Sequence, residues 1–140
     1  MTIGGGCLCG AVRFEADAPP IAARACWCRL CQYIGGGSGT VNVLFASDGF
    51  RLTGETATYS SVADSGTTMR RHFCPRCGTP LLSIAESRPH IMVVRAGTLD
   101  DPEIGRPEST IWASAAPSWA CIDDAIPRIE GQPAPPPATE

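Results

Sequence analysis

A mainly β protein built from antiparallel sheets is the fold that this chain predicts, on three observations. Short segments rich in Val, Thr, Phe and Tyr alternate apolar and polar residues with the two-residue period of half-buried strands. Turn signals containing glycine separate these segments at spacings suited to hairpins. No long amphipathic helix is evident. In chain order the strands fall at 11–15, 40–45, 56–60, 80–84 and 91–95, and His72 with its neighbours Arg71 and Phe73 lies on a further one. The turns are Asp48-Gly49, Thr53-Gly54, Asp64-Ser65-Gly66 and Ala96-Gly97. One short helical turn is expected at 29–34, ended by the run Gly35-Gly36-Gly37-Ser38-Gly39. That run and the earlier Gly4-Gly5-Gly6 read as ordinary loops, because neither is followed by the Gly-Lys-Ser/Thr of a phosphate cradle.

With 140 residues, 44% of them apolar and 18% charged, the chain has the composition of one folded domain. We place that domain at 1–130 and read 131–140, with four prolines and little apolar bulk, as a flexible tail. No stretch approaches the roughly 20 apolar residues of a membrane span, so no membrane partner is expected. The first residues lack the basic and apolar regions of an export signal, and a cytoplasmic location with reduced cysteines is the expectation. All 11 basic residues are arginine, scattered apart from Arg70-Arg71, and the net charge is -3. Bulk attraction to nucleic acid is therefore not expected. The lack of lysine also excludes Schiff-base chemistry on a lysine side chain.

Seven of the eight cysteines fall in three clusters: Cys7 and Cys9; Cys26, Cys28 and Cys31; Cys74 and Cys77. Such grouping points to metal rather than disulfides, since Cys-x-Cys is too short to bridge without strain. Cys74-Pro75-Arg76-Cys77-Gly78 has the form of a zinc knuckle, in which turn N–H groups donate to sulfur and Gly78 allows the turn. Cys7-Leu8-Cys9-Gly10 is a tighter version of it. Pairing these two clusters gives four sulfurs and a closed structural site. Cys26, Cys28 and Cys31 then form a second site with an open position, the arrangement of catalytic zinc. Spacing alone leaves two alternatives: a different pairing of clusters, or a second structural site completed by Cys121 or a distant side chain.

Cys121 otherwise reads as a buried small hydrophobe, and His72 as a packed strand residue with access to Cys74. Arg70 and Arg71 suit solvated strand positions, from which either could grip a carboxylate in bidentate fashion. The run containing Gly36 lies beside the three-cysteine cluster.

These clusters also carry a resemblance. The order Gly-Gly-Cys-x-Cys-Gly-Ala-Val-Arg-Phe, Cys-x-Cys-x-x-Cys, Arg-His-Phe-Cys-Pro-Arg-Cys-Gly-Thr-Pro-Leu and Gly-Thr-Leu-Asp-Asp-Pro resembles the glutathione-dependent formaldehyde-activating enzyme family, which also includes centromere protein V-like proteins. The likeness runs from Gly5 to about Glu130 and continues through Ile111-Trp112, Pro117-Ser118-Trp119 and Asp123-Asp124-Ala125-Ile126-Pro127. It implies a β-tent fold stapled by a structural zinc on Cys7, Cys9, Cys74 and Cys77, with a catalytic zinc on Cys26, Cys28 and Cys31. It further implies a carbon-sulfur lyase that joins or separates a thiol such as glutathione and an aldehyde such as formaldehyde. Many relatives carry histidine where Trp27 and Thr110 stand here. Trp27, Gly36 and Arg71 are the candidates for contacting substrate, the indole of Trp27 favouring a bulkier or more apolar one.

The expected mechanism is a substrate thiol made acidic beside the open zinc and attacking an aldehyde carbon. A non-enzymatic zinc module that binds a protein partner is the alternative. A hydrolase using bound hydroxide ranks last, because no Glu adjoins the cluster to act as base. Monomer and homodimer are both compatible with the sequence.

Overall fold

Alternation sets which side of each strand is apolar, and the pairing register then assembles those sides into faces. The computed structural model describes residues 2–134. Among them β1 (Ile3–Gly6), β2 (Arg13–Ala16) and β5 (Phe50–Thr53) form an antiparallel sheet in the order β1-β2-β5. A seven-stranded sheet contains β3 (Ala22–Cys26), β4 (Thr40–Ala46), β6 (Ala57–Val62), β7 (Thr68–Phe73), β8 (Pro80–Ala85), β9 (Ile91–Arg95) and β10 (Ser109–Ile111). Its order is β10-β3-β4-β9-β8-β7-β6. The mainly β, antiparallel class expected from the sequence is the class observed. One pairing departs from it: β10 lies parallel to β3, after two 3-10 turns, Ala96–Thr98 and Pro102–Gly105, have carried the chain from β9 to the far edge. The expected helix is α1 (Arg29–Ile34), closed by the Gly35 N–H donating to the Cys31 carbonyl at 2.7 Å. No helix among the described residues is long and apolar enough to cross a membrane.

The main core lies between the two sheets. Ala23, Val43, Phe45, Leu82 and Val94 from one face of the large sheet meet Ile3 and Phe14 of the smaller one and Val12 just before β2. Phe14 stacks on Phe50 with ring centroids 5.4 Å apart. A register irregularity between His72 and Phe73 leaves Leu81 without a partner on β7, so that Leu81 and Leu82 are both buried.

Gly4-Gly5-Gly6 is strand β1, not the loop the sequence predicts. The reason is steric: a Cβ on Gly5 would lie 2.3 Å from Phe14 Cζ and 2.3 Å from the Thr98 carbonyl oxygen. Only glycine lets the Phe14 ring lie against this strand. Gly5→Ala is expected to destabilise the fold by about 3 kcal/mol through forced overpacking. Urea unfolding checks this, and a loss below about 0.5 kcal/mol, the range of an ordinary surface change, would contradict it.

Two residues at the start of the proline-rich segment are engaged. The Trp112 N–H donates to the Gly131 carbonyl at 3.2 Å, and its indole Nε1–H to Gln132 Oε1 at 2.9 Å. Residues 135–140 of the predicted tail lie outside the described residues.

Candidate functional site

Two turns, β1–β2 and β7–β8, bring the first cysteine group together. The Sγ atoms of Cys7, Cys9, Cys74 and Cys77 all lie within 4.8 Å of one another. Cys7 and Cys9 sulfurs are 3.6 Å apart, and those of Cys9 and Cys74 are 3.7 Å apart. A tetrahedron of thiolates around zinc has edges of about 3.8 Å, so these residues fit that ion. Gly10 and Gly78, at φ 83 and 76, let both turns curl back. The Val12 N–H then donates to Cys7 Sγ at 3.3 Å and the Arg76 N–H to Cys74 Sγ at 3.4 Å. The Thr79 hydroxyl, 3.1 Å from Cys77 Sγ, and nearby N–H groups pull the Cys77 thiol down to about 5, favouring the thiolate that a metal needs. Cys7 and Cys74 belong to the main core, so an ion here ties one sheet to the other.

The second group forms where β3 runs into α1. Cys26 ends the strand, Cys28 is the N-cap, and Cys31 sits one helical turn beyond it. Cys28 Sγ accepts from the Cys31 N–H at 3.3 Å. The three sulfurs lie within 4.8 Å of one another, all three residues are buried, and no fourth Cys, His, Asp or Glu among the described residues joins them. Three thiols this close cannot all ionise unaided. Hydrogen bonds from Cys26 and Cys28 hold Cys31 as a thiolate, at about 2, while hydrogen bonds with Cys28 and Cys31 and burial push Cys26 up. Such a donor set fits a cation, which removes the mutual repulsion. No cysteine is in a disulfide. Cys121 is exposed, contrary to the expectation of burial: it follows the last 3-10 turn in irregular chain beside Trp119, which is also exposed.

Register explains what surrounds the three cysteines. Cys26 pairs with Thr40, Arg24 with Asn42, Asn42 with Arg95, and Ser83 with both Val93 and Arg71. Partners opposite each other share a face. The face turned away from the main core therefore carries Cys26, Arg24, Asn42, Arg95, Ser83 and Arg71. These residues line an open cleft, walled by Leu30 and Ile34 of α1, by Trp112 and by the β6–β7 turn. Arg95 donates to Asn42 Oδ1 and, at 3.4 Å, to Ser83 Oγ, while its Nε is buried without a partner. Asn42 in turn donates to Thr40 Oγ1 at 3.1 Å. The Thr40 hydroxyl and the Arg95 charge both favour the Cys31 thiolate.

Of the three sequence candidates for substrate contact, Arg71 lines the cleft and Trp27 and Gly36 do not. Trp27 is buried with its ring against Gly39, where a Cβ would come within 3.1 Å of the indole. Thr110 is also buried and absent from the wall, whereas its neighbour Ile111 lines the cleft. Sequence reasoning missed Arg24, Asn42, Ser83, Arg88, Arg95 and Trp112. The position of Arg24, two residues before Cys26 on one strand, is the one local signal that placed any of them on the metal side. Trp112 holds a left-handed backbone, φ 54, that a bulky residue rarely adopts.

Comparisons with known proteins identify the family. A Halomonas elongata protein named "Putative glutathione-dependent formaldehyde-activating enzyme" is 30% identical over 130 residues, covering 88% of this chain and 82% of its own length. A crystal structure of a Rhodobacter sphaeroides protein shares the fold at TM-score 0.58 and 19% identity, over 89% of this chain and 98% of that one. The family model described as glutathione-dependent formaldehyde-activating enzyme matches residues 2–115, which include both cysteine groups, and the chain belongs to that family.

Proposed function

We propose that this protein forms or cleaves a carbon-sulfur bond between a thiol and an aldehyde, with glutathione and formaldehyde as the pair indicated by the family's name. The observation that carries the reading is the incomplete donor set of Cys26, Cys28 and Cys31 at the floor of the cleft. Zinc bound there supplies positive charge that lowers the pKa of an incoming thiol and a position for its sulfur. In the addition, the thiol gives up its proton to solvent, sulfur bonds to the aldehyde carbon, the carbonyl π pair moves to oxygen, and one proton from solvent neutralises that oxygen. The reverse reaction breaks the carbon-sulfur bond and restores the carbonyl.

The chain's own residues suit these steps. Leu30, Ile111 and Trp112 surround the cysteines with apolar surface and limit access of water. Arg95, held by Asn42 and Ser83, offers positive charge and N–H donors toward an oxygen that gains charge. Asp64 is the only carboxylate among the lining residues, so the wall favours anionic rather than cationic ligands. The quartet of Cys7, Cys9, Cys74 and Cys77 takes the structural role, since its four donors leave no position for substrate. Native mass spectrometry with and without glutathione tests the reading. Two zincs are expected, one of them perturbed by the thiol, together with catalysed appearance of the S-hydroxymethyl adduct in NMR. Two fully inert metals and no rate above the uncatalysed background would dispose of it and favour a binding module.

A further inference from the structure

The cleft holds more positive charge than the proposed chemistry at the cysteines uses. Five ion pairs among the described residues engage Arg13, Arg51, Arg106 and Arg128, all on the outer surface. None engages Arg24, Arg71, Arg88 or Arg95, the four arginines that line the cleft. Arg71 and Arg95 are at least hydrogen-bonded, to Ser61 Oγ at 2.6 Å and to Asn42 and Ser83 respectively. Arg24 and Arg88 have neither an ion pair nor a side-chain hydrogen bond among the described residues. Arg24 is partly buried beside the cysteines, and no carboxylate among the described residues forms an ion pair with it. Two partly buried guanidiniums without a carboxylate partner among the described residues thus face one cleft, a lining that suits an anion.

Topology gives their place. Cys26 and its partner Thr40 mark one end of the β3–β4 ladder, and Ala22 with Leu44 the other. Arg24 lies between, two residues or about 7 Å along the strand from Cys26. Arg88 belongs to the β8–β9 turn, where its N–H donates to the Ala85 carbonyl at 2.9 Å and its carbonyl accepts from Ile91 at 3.2 Å. Ile91 pairs with Ala46, so this turn caps the end of the cleft remote from the cysteines. A ligand with sulfur at the cysteines thus extends along β3 toward Arg24 and Arg88.

We propose that Arg24 and Arg88 form a carboxylate subsite that selects thiols bearing an acidic group about 7 Å or more from sulfur. This rests on the reading of Cys26, Cys28 and Cys31 as the thiol site and assigns two specificity-determining residues to it. Guanidinium pairs suit the task because each offers a planar fork that matches a carboxylate.

Isothermal titration of the zinc-loaded protein tests the subsite with three probes: glutathione, its diethyl ester and S-methylglutathione. Wild type and an Arg106→Gln control are expected to bind glutathione about 10- to 100-fold more tightly than the diester, the range for charge-assisted hydrogen bonds. In Arg24→Gln and in Arg88→Gln that ratio should fall toward one, with zinc content and far-UV circular dichroism unchanged. A wild-type ratio near one overturns the subsite without any variant, and so does a ratio preserved in both variants. S-methylglutathione keeps both carboxylates but has no free thiol, which separates the two readings. Binding of it that depends on Arg24 and Arg88, with no response of the metal to glutathione, would uphold the subsite and reject the thiol chemistry. A metal that responds to glutathione independently of both arginines would do the reverse.

Discussion

Cys28→Ser is expected to lower turnover about 10³-fold while leaving the fold intact, since a metal's transition-state contribution of about 4 kcal/mol corresponds to that factor. Serine is the informative replacement because Cys28 is the N-cap of α1 and its sulfur accepts the Cys31 N–H. A hydroxyl keeps that capping bond but does not supply a thiolate. The three cysteines also lie in a small apolar cluster with Ile111, separate from the main core, so losing their metal leaves the two packed sheets in place. Metal analysis should show loss of one zinc, thermal unfolding should stay within a few degrees of wild type, and adduct formation should fall to background. Turnover within tenfold of wild type would remove Cys28 from the chemistry.

Cys74→Ser is expected to have the opposite profile, abolishing cooperative folding. Cys74 is fully buried in the main core, and its turn is the one that reaches across to Cys7 and Cys9. Structural zinc contributes on the order of 10 kcal/mol of apparent binding energy, comparable to the whole stability of a domain this size. The substitution also leaves a hydroxyl in apolar surroundings where a thiolate is expected to meet metal. Thermal denaturation should show no cooperative transition, or one lowered by tens of degrees. A midpoint within a few degrees of wild type would show that the quartet does not staple the sheets. Because cysteine thiols must be deprotonated to bind metal, acidification should release zinc and reproduce this loss of structure in the unsubstituted protein.

Local physics made much of this legible beforehand. Five predicted strands correspond to β2, β4, β6, β8 and β9, because short segments rich in Val, Phe, Thr, Ile, Leu and Tyr are bounded there by turn residues. The bounds of α1 followed from the glycine run that stops it. The three cysteine clusters were also readable, but spacing left their pairing open, and the grouping into four and three comes from the folding that brings the β1–β2 and β7–β8 turns together. Strand β1 was hidden because its glycines signal a loop locally, while their reason, the Phe14 ring pressed against Gly5, lies across the sheet. Strand β3, Ala-Ala-Arg-Ala-Cys, has neither β-branched nor aromatic residues and is held by its neighbours β4 and β10. The arginine-lined cleft was the least legible part. Arg24, Asn42, Arg95 and Arg71 come from four strands, and only the register that places them side by side turns scattered arginines into a wall. Trp27 illustrates the same limit: adjacency to Cys26 and Cys28 in sequence does not bring its side chain to the cleft, because the backbone turns it onto Gly39.

Zinc K-edge X-ray absorption on the fully loaded protein, before and after addition of glutathione, tests the open three-sulfur site most directly. With one four-sulfur and one three-sulfur ion, the spectrum should fit about 3.5 sulfurs per zinc plus a light donor, rising to about 4 when the thiol enters. Four protein donors on both ions from the start, with no change on adding thiol, would contradict an open position at Cys26, Cys28 and Cys31.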